Sequence, residues 1–152
     1  MRRVGFTTIE LIIVVVMIGI IAVIGFPKIR RALDTTNVRS SRVYLSTAVA
    51  TARAAAVQRG CRAAVHFSSP GTVWVTACSR ANPAGTGTDT IGSVVNLASR
   101  YNVTLAATSD SIRFDPRGLN MDNTTMTTVR IIGATAYGTD SVVVNQLGRV
   151  VR

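Results

Sequence analysis

An uncharged apolar run extends from Leu11 to Phe26, with a carboxylate, Glu10, at its lip. About 20 residues span a bilayer core, and residues 6–26 supply 21. A chain with this segment must place one long helix in lipid or against other apolar helices. An Asp, Lys or Arg at the centre of such a helix costs about 2.5 to 3.5 kcal/mol on insertion. Glu10 lies near the end, so its cost is smaller. Ionisable residues within membrane segments are functional candidates by default. The preceding Met1-Arg2-Arg3-Val4-Gly5 is basic, very short, and ends in a small residue. A secretory signal carries its apolar region before the cleavage site and loses it. A cut after Gly5 would instead leave the apolar helix on the mature chain.

The 152 residues allow one anchor helix and one modest domain. The formal net charge is +10, and Lys28 is the only lysine among 17 basic residues. A surface this basic favours anionic partners such as DNA or lipid headgroups. Arg2 and Arg3 before the anchor compete with Lys28, Arg30 and Arg31 after it, so positive charge alone does not orient the segment. The two cysteines have no metal-ligand spacing.

Beyond the anchor, Ile29, Leu33, Val38, Leu45, Val49, Ala52 and Ala56 keep near one helical face. Arg31, Arg39, Arg42, Arg53 and Arg59 fall largely off it. Pro27 removes a backbone donor and is expected to kink or locally open the helix. Gly60 is a natural stop. The period then changes to two. Strands are expected at 62–68, 72–78, 93–97, 102–107, 111–114, 127–132 and 141–145, with 79–90 a loop.

Hairpin register bears on the cysteines. A two-residue loop at Ser69-Pro70 places Cys61 opposite Cys78, within disulfide range. Pro70-Gly71 at the turn centre makes the pair diagonal. A Cys61–Cys78 disulfide and two buried free thiols both remain open.

Gly5-Phe6-Thr7-Thr8-Ile9-Glu10 followed by Leu-Ile-Ile-Val-Val-Val resembles the N-terminus of a type IV pilin or pseudopilin precursor. The Ala-rich helix running into Arg59-Gly60-Cys61, Ser111 to Gly118, Val129 to Ile132 and Val142 to Arg152 resemble the GspH/FimT branch of that family. The resemblance implies an α+β fold, in which a long N-terminal helix, membrane-spanning in its first half, packs on an antiparallel β-sheet domain. It implies a leader at 1–5, a transmembrane and filament-core helix at 6–27, an amphipathic continuation at 28–60, and a β domain at 61–152. A prepilin peptidase would cut after Gly5 and methylate Phe6. Glu10 would pair with the N-terminal amine of a neighbouring subunit. Gly19 and Pro27 would soften the helix within a filament.

The implied function is structural, that of a minor pseudopilin of a type II secretion system. The alternative is a minor type IV pilin that binds DNA for uptake. The implied location is the bacterial inner membrane, single-pass, with the C-terminal domain in the periplasm and later in a pilus or pseudopilus. Implied partners are the prepilin peptidase, other pilins or pseudopilins, membrane lipid and, on the alternative, DNA. DNA-binding members of the branch share a Gly-Arg-any-Arg C-terminal motif. This chain has Gly148-Arg149-Val150-Val151-Arg152, one residue longer. In a strand Arg149 and Arg152 would point to opposite faces. With Arg117 they are the candidate phosphate contacts, and such binding is sequence-independent and salt-sensitive.

No catalytic set, phosphate loop or cofactor motif is present in the sequence, so an enzyme is not expected. His66 is the only histidine and lies in an expected strand. Asp115 and Asp122 read as isolated acids that do not build a calcium cage. Trp74 and Phe67 read as core.

Overall fold

The computed structural model describes residues 7–81, 87–122, 126–135 and 137–151. The chain divides into two compact units, Met1–Leu33 and Asp34–Arg152. One helix, α1 (Thr8–Arg59), contributes to both. It opens where the Thr7 hydroxyl accepts a hydrogen bond from the Glu10 amide at 3.3 Å. Thr7-Thr8-Ile9-Glu10 is thus a capping-box pattern, whose threonine satisfies an orphan donor of the first turn.

In the first unit every large apolar side chain from Ile9 to Phe26 is exposed, at 47 to 77 %. Nothing among the described residues buries them. The best 18-residue window has a mean hydropathy of 3.0, long and apolar enough to cross a membrane. The helix continues unbroken through Gly25 and Pro27, so the local opening expected at Pro27 is not seen. Ile29 and Leu33, assigned to the buried stripe from their spacing, are 59 % and 58 % exposed. Burial begins at Asp34, where the second unit begins.

The second unit uses the rest of α1 as the spine of its core. Two antiparallel sheets pack with it. The first has the order β3 (Thr88–Asn96), β2 (Thr72–Cys78), β1 (Ala63–Ser68), β5 (Ser111–Phe114). The second has the order β4 (Val103–Ala107), β6 (Thr127–Gly133), β7 (Thr139–Val144), β8 (Val150–Val151). Val38, Leu45, Val49, Ala52 and Ala56 join residues of both sheets in one contiguous core. Alanines at 48, 52, 55 and 56 are buried and let the sheets approach the helix closely. The off-stripe arginines are tethers as well as surface. Arg42 pairs with Asp140 of β7 at 3.0 Å. Arg59 donates to the Cys78 carbonyl at 2.7 Å and pairs with Asp89 of β3 at 3.3 Å.

Two elements differ from the expectation. A short helix, α2 (Leu97–Tyr101), links the sheets, capped by the Asn96 side chain, which accepts from the Ser99 amide at 3.1 Å. Strand β3 starts at Thr88, inside the expected loop. It is an edge strand whose exposed polar residues give no apolar alternation.

The β1–β2 hairpin follows neither expected register. Ser68 faces Thr72, so three residues, 69–71, make the loop. The Cys78 amide donates to the Arg62 carbonyl at 3.2 Å, and Cys61 sits one residue further out. A disulfide joins Cys61 to Cys78 across this offset, with Cα atoms 6.1 Å apart. It ties the segment after α1 to the end of β2.

Asp34 is 5 % exposed and is the only buried carboxylate among the described residues. Its Oδ2 accepts from the Thr135 hydroxyl and, at 3.3 Å, from the amides of Thr135 and Gly138. Burial pushes its pKa up, but these hydrogen bonds, with that of the Ala134 amide, outweigh burial and hold it below the ordinary 3.8. A carboxyl depressed on folding stabilises the protein above its unfolded pKa, and that contribution is lost as pH falls through the folded value. Asp34→Asn should therefore unfold at lower urea than the native chain at pH 7. The gap should shrink below about pH 4. Urea unfolding of the full chain in detergent at both pH values measures this.

Candidate functional site

Two turns in the second unit are built to one pattern. In Asp115-Pro116-Arg117-Gly118-Leu119, the Gly118 amide donates to the Asp115 carbonyl at 2.9 Å and the Asp115 amide to the Leu119 carbonyl at 2.9 Å. The Leu119 amide donates to Asp115 Oδ1 at 2.8 Å. In Asn145-Gln146-Leu147-Gly148-Arg149, the matching bonds are 3.0, 3.0 and 2.9 Å. Each turn starts on an Asx side chain that caps its own loop. Each has glycine at the fourth position with positive φ, +78° at Gly118 and +69° at Gly148, where a side chain is disfavoured.

The turns lie against each other. A Cβ on Gly148 would sit 2.7 Å from the Gly118 carbonyl and 2.9 Å from the Phe114 ring. The Asn120 amide donates to the Gln146 carbonyl at 3.1 Å. A Cβ on Gly118 would sit 3.1 Å from both Arg53 Nε and Val57 Cγ2 of α1. The two turns and α1 therefore form one corner. Beside it runs a groove of about 680 Å³, with Val49, Ala50, Arg53, Ala54, Val57 and Arg149 among its lining residues.

Two of the expected DNA contacts, Arg117 and Arg149, thus belong to adjacent turns. Arg149 lies just before β8 rather than within a strand. Arg152 lies outside the described residues, as do Gly5 and Phe6. Arg117 is 81 % exposed and pairs with Asp115 at 3.0 Å. The Leu119 amide first, then Arg117, hold the Asp115 carboxyl below its usual range. Asp122 likewise pairs with Arg113 at 2.7 Å. Asp115 and Asp122 are therefore engaged, not isolated. Arg53, off the apolar stripe of α1, borders both the first turn and the groove. The signal available for this corner was the repeated Asx-x-x-Gly pattern.

Glu10 is exposed at the start of α1. A Cβ at Gly19 would meet nothing within 4 Å. Phe67 is in the core, but Trp74 is only half-buried. It faces away from the core and stacks on His66, with ring centroids 5.1 Å apart and planes 13° apart. A ring nitrogen of His66 lies 2.8 Å from the Thr76 hydroxyl. Burial pushes the His66 pKa down. Among the described residues no group of three His, Cys, Asp or Glu side chains could hold a metal.

Gly148→Ala combines an unfavourable φ with a clash. It should lower stability by about 2 to 5 kcal/mol, from about 1 to 2 for the left-handed conformation and about 1 to 3 for overpacking. Urea unfolding of the full chain in detergent checks this.

A long N-terminal helix whose second half packs on antiparallel sheets, and whose first half presents an uncovered apolar surface, defines a pilin-like protein. Residues 44–148 match the family model of the type II transport protein GspH. The chain belongs to the GspH family. Two crystal forms of the type IV minor pilin FimU from Pseudomonas aeruginosa share the fold. One aligns over 76 % of this chain and 87 % of FimU, with a TM-score of 0.54 and 14 % identity. The other aligns over 74 % and 90 %, with a TM-score of 0.52 and 14 % identity. No curated protein sequence matches significantly.

Proposed function

We propose that this chain is a minor pseudopilin of a type II secretion system. A prepilin peptidase cuts after Gly5 and methylates Phe6. The subunit then rests in the bacterial inner membrane with its second unit in the periplasm, and enters a pseudopilus by helix packing. The observation that carries this reading is the first half of α1. Fourteen large apolar side chains between Ile9 and Phe26 are exposed, and lipid or neighbouring helices must cover them. Glu10 is the single charge in that stretch. It would meet the new N-terminal amine of a neighbouring subunit, in a low dielectric that strengthens the pair. The described type II transport family supports secretion as the system served.

A second reading, a minor type IV pilin that contacts DNA, draws on the net charge of +10 and on the corner shared by Arg117 and Arg149. The Asp115 pair weakens it, because it already neutralises Arg117.

Glu10→Ala should leave membrane insertion intact and block entry into filaments, read by fractionating membranes and sheared filaments. Normal filament entry by that variant would sink the assembly role. Loss of the chain should stop release of secreted proteins and leave DNA uptake unchanged. The reverse pattern would favour the second reading.

A further inference from the structure

We propose that the groove between α1 and β8 docks an extended, acidic segment of a different protein, which adds to the free edge of β8. This rests on the subunit reading, and names a partner class for a surface of the second unit.

Three features converge there. First, among the described residues β8 ends its sheet and pairs with β7 alone. The Arg149 carbonyl accepts from the Asn145 amide at 3.0 Å, and the Arg149 amide donates to the Asn145 side-chain Oδ1 at 2.9 Å. By antiparallel alternation, the Val150 amide and carbonyl face away from β7. An open edge of this kind templates an added strand. Second, the groove floor is apolar, formed by Val49, Ala50, Ala54 and Val57 of α1 with Val150. It suits alternate side chains of an extended peptide. Third, Arg53 and Arg149 rim the groove from the helix and from the turn. Neither is in an ion pair among the described residues, which pair Arg42, Arg59, Arg113 and Arg117 instead.

Charge decides the occupant. The chain has seven acids. Asp89, Asp115, Asp122 and Asp140 are taken by those arginines, and Asp34 by Thr135 and its neighbours. Only Glu10, on the apolar helix, and Asp110 remain. A second copy therefore has little to offer two unpaired guanidinium groups, and an acidic segment from another subunit does. A nucleic acid would satisfy the arginines but would leave the apolar floor and the strand edge without partners.

The test uses the full chain in detergent and a fluorescein-labelled nonapeptide of alternating valine and glutamate, read by anisotropy. Two variants run beside it, the double Arg53→Gln and Arg149→Gln, and Ala54→Trp, which fills the groove from an exposed helix position. Circular dichroism checks that both remain folded. The native chain should bind saturably. Each variant, and a valine–glutamine peptide on the native chain, should bind at least about tenfold more weakly. Lack of saturable binding by the native chain, or equal binding by both variants, overturns the proposal. So does an oligothymidylate that displaces the peptide at lower concentration and is itself lost in the arginine variant, which would make the groove a nucleic-acid site. Filament entry of the native chain is scored in parallel. Normal entry without peptide binding removes only the docking site, whereas absence from filaments removes the subunit reading beneath it.

Discussion

Neither four-stranded sheet can bury its inner face without the second half of α1. Val38, Leu45, Val49, Ala52 and Ala56 lie in a core that also takes Val65, Val73 and Ile112 from the first sheet and Val129, Ile131 and Val142 from the second. Fully burying a Val or Leu side chain contributes about 1.5 to 3 kcal/mol, and the helix stripe is the surface both sheets share. The small residues at its centre decide how near the sheets come. Arg42 and Arg59 then fasten the helix flanks, one to each sheet. Exposed ion pairs contribute little, so these side chains set orientation more than stability.

The same helix obeys two rules along its length. Up to Leu33 the large apolar side chains of the described residues are exposed, and from Asp34 one stripe is buried while most of the remaining face is polar or small, Val43 and Val57 excepted. The first half depends on surroundings supplied by lipid or other helices. The second half is satisfied internally, apart from the groove by β8. A chain organised in this way suits a subunit stored in one environment and used in another.

The helix and most strands were legible because their signals are local. A membrane-length apolar run and a period of two need no tertiary information. The α+β class followed from these, the pilin-like resemblance from the motif around Gly5 and Glu10, and its GspH/FimT branch from Ser111 to Gly118 and the segments around it. What was not legible depended on position in the sheets. Thr88 to Thr90 looked like loop because an edge strand buries little. Ile29 and Leu33 fit the helical period but lie before the sheets begin. Trp74 looked like core by type, yet its register sends it outward to His66. The hairpin loop used three residues where two were counted, and one residue displaces every cross-strand pair. The corner at Gly118 and Gly148 was missed because its halves are far apart in sequence and meet only through folding.

Asp34 carries a consequence for how this sequence can vary. Its carboxylate occupies the space where Gly133 would otherwise hold a side chain, and Gly138 packs against its backbone and Val38. The three positions are one unit. A methyl group at 133 is intolerable while Asp34 is present, and a smaller residue at 34 would open room for it while stranding the amides of Thr135 and Gly138. Changes here are strongly non-additive, so a lineage could leave this arrangement only through a poorly folded intermediate or by replacing the helix residue and the loop together.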